Sequence, residues 1–151
     1  MSHLVISNRK IKNATYFKDP SELTVFLEKE ENGHLEVLIF AFWSWIVPPW
    51  ILDSYKCYGF HTGPLLEGKG RGGSPIDNLI KLGVNFTTLC VFKMNEVIDG
   101  GQVVLAIPVS LTQGKDFLIG WIDGFLPRIV DYLTEDRPEI PEKFRRLQDA
   151  K

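Results

Sequence analysis

The stretch "LEVLIFAFW", residues 35–43, constrains the fold of this chain more than any other. It is apolar on both faces, so neither face is left to water. A half-buried strand alternates apolar and polar residues, and a surface helix shows polar residues every three or four positions. A strand covered on both sides shows a nearly unbroken apolar run. The segment reads as a central strand of a covered parallel sheet, and its neighbours in sequence must supply the covers.

Those neighbours alternate between the two periodicities. "LVIS" (4–7) and "ATYF" (14–17) read as short strands around the polar "NRKIKN". Asp19-Pro20-Ser21 opens a helix over "SELTVFLEKEEN", with Leu23, Phe26 and Leu27 on one face and Asn32-Gly33 as its close. Pro48-Pro49 precede a helical turn, "WILDSY", and "KCYGF" (56–60) is a second buried strand. Ser74, Pro75 and Asp77 form a helix start that Gly83 ends. "VNFTTLCVFKM" (84–94) and "QVVLAIPVSL" (102–111) read as strands joined by "NEVIDGG". "GKDFLIGWIDGFLPRIVDYL" carries a helical period that Pro127 is expected to interrupt. The expectation is an α/β domain over residues 1–133 with a mostly parallel sheet, followed by a charged, proline-containing tail over 134–151.

Length and charge narrow the function. A chain of 151 residues is long enough for one core and not for two. The formal net charge of -2 supplies no global field toward nucleic acid or an anionic membrane. No apolar run reaches membrane-spanning length and the N-terminus has no signal-type core, so the chain is expected to be soluble and cytoplasmic. Cys57 and Cys90 lie in apolar runs without a CxxC pair and read as buried hydrophobes of a reducing compartment. No metal site is expected.

"FHTGPLLEGKGRGGSP" (60–75) lies between a strand end and a helix start. "GPLLEGKG" has P-loop spacing as far as Lys69, but Gly70 stands where a Ser or Thr must hold magnesium. "GKGRGG" fits G-x-G-x-x-G, yet it falls in mid-chain rather than after the first strand. What remains is His61 at the carboxyl end of a strand, a loop carrying Lys69 and Arg71, and Asp99 on a glycine-rich turn. Ligands of open α/β sheets bind outside the strand carboxyl ends, so His61 and the "NEVIDGG" turn are expected to share a pocket. An imidazole beside a carboxylate is equipped for proton transfer and oxyanion stabilisation. His3 and His34 read as surface residues, and Trp43, Trp45 and Trp50 as core or dimer contacts, so a homodimer is allowed for.

In order, "VLIFAFWSWIVPPWIL" (37–52), "FHTGPLLEGKGRGGSPIDNLIKLG" (60–83) and "TTLCVFKMNEVIDGGQVVL" (87–105) resemble the formyl-tetrahydrofolate-dependent formyltransferases. The blocks are similar to the family's strand and Ile-Leu-Pro loop, its His, Leu-Leu-Pro, Arg-Gly and Pro-Ile stretch, and its Asp-x-Gly turn with flanking strands. The wording of "WSWIVP" and "RGGSP" is similar to the sugar N-formyltransferase branch. The resemblance implies a Rossmann-like domain that moves a formyl group from formyl-tetrahydrofolate to a primary amine, here that of a nucleotide-linked amino sugar. It implies that His61 stabilises the oxyanion and passes protons while Asp99 orients His61 or the attacking amine. Ile46, Val47 and Pro48, with Val97, Ile98 and Gly101, would border the pterin. Lys69, Arg71, Gly72, Gly73 and Asn78 would shape the acceptor side.

The pattern departs from the family at two places. The family's Asn two residues before the His is Gly59 here, and the segment before residue 35 is shorter than the family's nucleotide-binding half. The departures keep a second reading open, a degenerate domain that binds folate or a partner without turnover. A third, action on methionyl-tRNA, finds no basic stripe to support it.

Overall fold

A computed structural model describes residues 2–62, 80–95 and 101–135. Six strands form one sheet: β1 (His3–Ser7), β2 (Thr15–Tyr16), β3 (Val37–Phe42), β4 (Lys56–Thr62), β5 (Phe86–Lys93) and β6 (Val103–Ser110), in the order β2-β1-β3-β4-β5-β6. The pairs β1–β2, β1–β3 and β3–β4 are parallel. The pairs β4–β5 and β5–β6 are antiparallel. The α/β class and the mostly parallel sheet are as the sequence reading expects.

β3 explains the layering. Val37, Ile39 and Ala41 pack on one face with Tyr58, Leu89, Val91, Leu105 and Ile107. Leu38 and Phe40 pack on the other with Ile6, Leu23, Leu27, Ile51 and Cys57. Every residue from Val37 to Ala41 is buried, which is why this strand carries no alternation. A fully buried aliphatic side chain here contributes about 1.5–3 kcal/mol through water exclusion.

Helix α1 (Pro20–Glu28) covers the second face through Leu23 and Leu27. Its start is fixed by Asp19, whose carboxylate accepts the Glu22 N–H at 3.0 Å and the Ser21 hydroxyl at 2.8 Å. Those hydrogen bonds, the Ser21 hydroxyl foremost, hold the Asp19 carboxyl below its usual range. The helix is shorter than the expected run to Asn32. It stops at Glu28, and a 3-10 turn over Glu30–Asn32 follows. Asn32 caps rather than continues: its Nδ2 donates to the Phe26 carbonyl at 2.8 Å. Helix α2 (Pro49–Ser54) buries Ile51 against the same face.

Helix α3 (Lys115–Thr134) covers the first face with Leu118, Ile122, Leu126, Ile129 and Leu133. It corrects the expected break at Pro127, because the helix runs through that residue without interruption. The reason lies outside the helix. A proline at 127 has no N–H for the Asp123 carbonyl, and Asn13 Nδ2 donates to that carbonyl at 2.9 Å instead. Gly83, with φ +75°, ends a helix at the expected place, and its N–H donates to the Ile80 carbonyl at 3.0 Å. The helix start at Ser74–Asp77 and the tail beyond residue 135 lie outside the described residues. No helix among the described residues is long and apolar enough to cross a membrane.

Candidate active site

The parallel pairing of β1, β3 and β4 brings their carboxyl ends, Ser7, Phe42 and Thr62, to one edge of the sheet. Two hydrogen bonds knit that edge. The Asn8 N–H donates to the Phe42 carbonyl at 2.7 Å, and Asn8 Nδ2 donates to Ser44 Oγ at 3.0 Å. Buried Ser7 turns the chain there, accepting the Arg9 N–H at 2.9 Å and donating to the Arg9 carbonyl at 2.7 Å.

His61 is the penultimate residue of β4, so it stands at this edge. It is 8% exposed and pairs across the antiparallel ladder with Cys90, itself fully buried. Alternation puts His61 on the same face as Gly59 and Cys57, the face covered by α1 and α2. Burial and strand pairing restrict the imidazole's orientations, which favours proton transfer at a fixed atom. Cys57 offers no competing chemistry. Its thiol lies near the carbonyls of Tyr55 and Ile51, at 3.6 and 3.8 Å, and burial pushes its pKa up to about 12.

The loop leaving β3 divides its work among Ile46, Val47 and Pro48. Val47 is buried in the core beside Ile51 and anchors the loop. Pro48 starts α2, its carbonyl accepting the Ile51 and Leu52 N–H groups at 3.1 and 3.3 Å. Ile46 is left 67% exposed at the edge that carries His61, next to half-exposed Trp45, which stacks edge-on against Trp43 at 4.9 Å. An apolar side chain held out by a buried neighbour fits the flat face of an aromatic ring such as a pterin.

Gly101 has a structural duty of its own. Its φ is +93°, and a Cβ there would lie 1.9 Å from the Lys93 carbonyl oxygen. The turn closes with the Lys93 N–H donating to the Gln102 carbonyl at 2.8 Å. Before the turn, the Met94 N–H donates to the Cys57 carbonyl at 2.9 Å. The turn is thus anchored at the level of Cys57, and His61 lies about 13 Å further along β4 at strand spacing. Asp99, Val97 and Ile98 lie outside the described residues, as do Lys69, Arg71, Gly72, Gly73 and Asn78. Among the described residues no group of three His, Cys, Asp or Glu side chains could hold a metal.

One pair at the site escaped the sequence reading. Phe92 stands opposite Gly59 in the β4–β5 ladder, and its ring lies against the glycine. The only available signal was alternation along residues 84–94, which is silent without the strand register.

Comparison with known proteins bears on the fold. No protein-family model matches the chain. A methionyl-tRNA formyltransferase of Caldicellulosiruptor saccharolyticus is 30% identical over 95 residues, covering 62% of this chain and 30% of that protein. Another, from Wolbachia pipientis, is 28% identical over 137 residues, covering 88% of this chain and 41% of the relative. Among solved structures, methionyl-tRNA formyltransferase from Clostridium thermocellum superposes with a TM-score of 0.67 at 28% identity, covering 91% of this chain and 67% of that one. This chain is similar to methionyl-tRNA formyltransferases and has the formyltransferase fold. Phosphoribosylglycinamide formyltransferase from Campylobacter jejuni, 13% identical, shares the fold with a TM-score of 0.59 over 89% of this chain and 97% of that one. The chain therefore spans about 30–41% of the length of these curated relatives. None of the relatives named here is a sugar N-formyltransferase, so they lend the amino-sugar branch no support.

Proposed function

We propose that the chain transfers a formyl group from formyl-tetrahydrofolate to a primary amine, with His61 as the acid–base residue. The observation that carries this reading is the placement of His61, buried at the carboxyl end of β4 on the sheet edge where the β3 loop leaves Ile46 exposed. On this reading Ile46 meets the face of the pterin, and Val47 and Pro48 hold Ile46 in place. The bound folate would supply the activated formyl carbon. His61 would donate toward the formyl oxygen as negative charge builds there, take up the proton that the attacking amine loses, and return it to the folate nitrogen that leaves as its bond to the formyl carbon breaks. Asp99 is proposed to orient the imidazole or the attacking amine, which requires its turn to reach toward His61 from the anchor at Cys57, and Val97 and Ile98 are proposed to border the pterin. Lys69, Arg71, Gly72, Gly73 and Asn78 are proposed for the acceptor side.

The acceptor is proposed to be a nucleotide-linked amino sugar, on the wording of "WSWIVP" and "RGGSP", and a methionyl-tRNA acceptor is the competing choice that the relatives' names raise. The net charge of -2 favours the small acceptor. The experiment is formyl transfer from formyl-tetrahydrofolate to a panel holding an amino-sugar nucleotide, glycinamide ribonucleotide and methionyl-tRNA. Turnover of the sugar is expected. Salt-sensitive binding and formylation of the tRNA would replace that acceptor. A second reading, folate binding without turnover, is favoured by Gly59, where a side-chain donor is missing; calorimetric binding of a folate analogue with no turnover on any amine would establish it.

A further inference from the structure

Gly59 precedes His61 by two residues on the same face of β4, and Phe92 is its partner on β5. Directly paired residues of antiparallel strands project to the same side, so any side chain at 59 must share space with the phenyl ring. A Cβ built on Gly59 would lie 2.8 Å from Phe92 Cζ, 3.1 Å from Cε1 and 3.4 Å from Met94 Cγ. Those first two separations are inside carbon–carbon contact distance, which is about 3.5–4.0 Å at the optimum. The ring has little freedom to retreat. Phe92 is 3% exposed and packs in a small cluster with Cys90, Met94 and Val103. Nor does the backbone call for glycine here, because Gly59 does not have the positive φ that marks Gly83, Gly101 and Gly114. What Gly59 provides is room for a ring.

We propose that Phe92 shapes the site, its ring filling the volume of a side chain at position 59 and walling the space before His61 with apolar carbon. The proposal rests on the reading of His61 given above. It turns the missing asparagine from a lost donor into an exchange of two residues: with Phe92 in place, the amide cannot be put back by one substitution. β4 then offers the formyl oxygen a single polar side chain on this face, His61.

The test is a cycle of Gly59→Asn, Phe92→Val and the double variant, read by thermal unfolding and by formyl transfer. Gly59→Ala, which adds only the Cβ, runs in parallel in case the asparagine variant does not fold. Alanine for glycine within an unobstructed strand ordinarily stabilises it. Here Gly59→Ala and Gly59→Asn are each expected to lower Tm by about 3 °C or more. In the Phe92→Val background the same changes are expected to cost less than half as much. Formyl transfer by the double variant is expected to exceed that of Phe92→Val by about tenfold or more, since an added oxyanion donor is worth at least that. Equal Tm losses in both backgrounds, or a rise in activity from Gly59→Asn alone, would overturn the proposal. Coupled Tm losses with no formyl transfer by any variant, wild type included, would support the Phe92 packing and reject the proposed reaction.

Discussion

Asn13 donates its side-chain amide to the backbone carbonyl of Asp123 at 2.9 Å, the carbonyl that Pro127 deprives of its helical partner. The same aspartate accepts the N–H groups of Lys12 and Asn13 on its carboxylate, both at 2.8 Å. The loop after β1 and helix α3 thus satisfy each other across 110 residues of sequence. Asn13→Ala should cost about 1–2 kcal/mol, since it strands a part-buried carbonyl. In a Pro127→Ala background the alanine N–H takes over that carbonyl, and the same change should cost less than half as much. Denaturant unfolding of the four proteins checks the coupling.

This pair also shows why part of the fold was unreadable. Pro127 carries a local rule that helices break, and the compensating amide lies so far away in sequence that no window could join them. Leu38 and Ile39 behave oppositely: each is buried on its own face of β3, and the run that contains them announced a central strand by itself. The site divides the same way. The strand-end position of His61 was legible because a polar residue ending an apolar run is conspicuous. Phe92 was not, because its meaning depends on facing Gly59, and the β4–β5 register is set by long-range pairing.

Replacing His61 with alanine should lower formyl transfer by about 100-fold or more if the imidazole moves the proton as proposed. The effect should fall on kcat, with folate-analogue affinity changed little. Steady-state kinetics alongside a Tm measurement separates loss of chemistry from loss of fold.

Gly101 and Gly114 give a matched comparison. Both have positive φ, +93° and +89°, but a Cβ at Gly101 would strike the Lys93 carbonyl oxygen while one at Gly114 meets nothing within 4 Å. Gly114→Ala should cost about 1 kcal/mol from backbone strain alone. Gly101→Ala should cost clearly more, about 3 kcal/mol, because the β5–β6 turn must open to admit the methyl group. Equal costs in denaturant unfolding would mean that the turn yields freely.

Cys57 predicts a pH dependence with a definite sign. Burial raises its thiol from 9.0 to about 12 in the folded chain, so the fold disfavours the thiolate. Below pH 9 both folded and unfolded forms carry the thiol and the group contributes no slope. Between pH 9 and about 12 the unfolded chain ionises first and stability falls, by up to about 1.4 kcal/mol per pH unit from this group. Tyr58, whose hydroxyl is also raised by burial and by Tyr132, adds its own loss at the upper end of that window. Unfolding free energies of wild type and Cys57→Ala measured from pH 8 to pH 11 isolate the cysteine: the wild-type curve should descend more steeply above pH 9. At pH 8 the native thiol should resist a disulfide reagent and react once denaturant is added, and prompt labelling of Cys57 in the folded protein would show that α2 does not seal it.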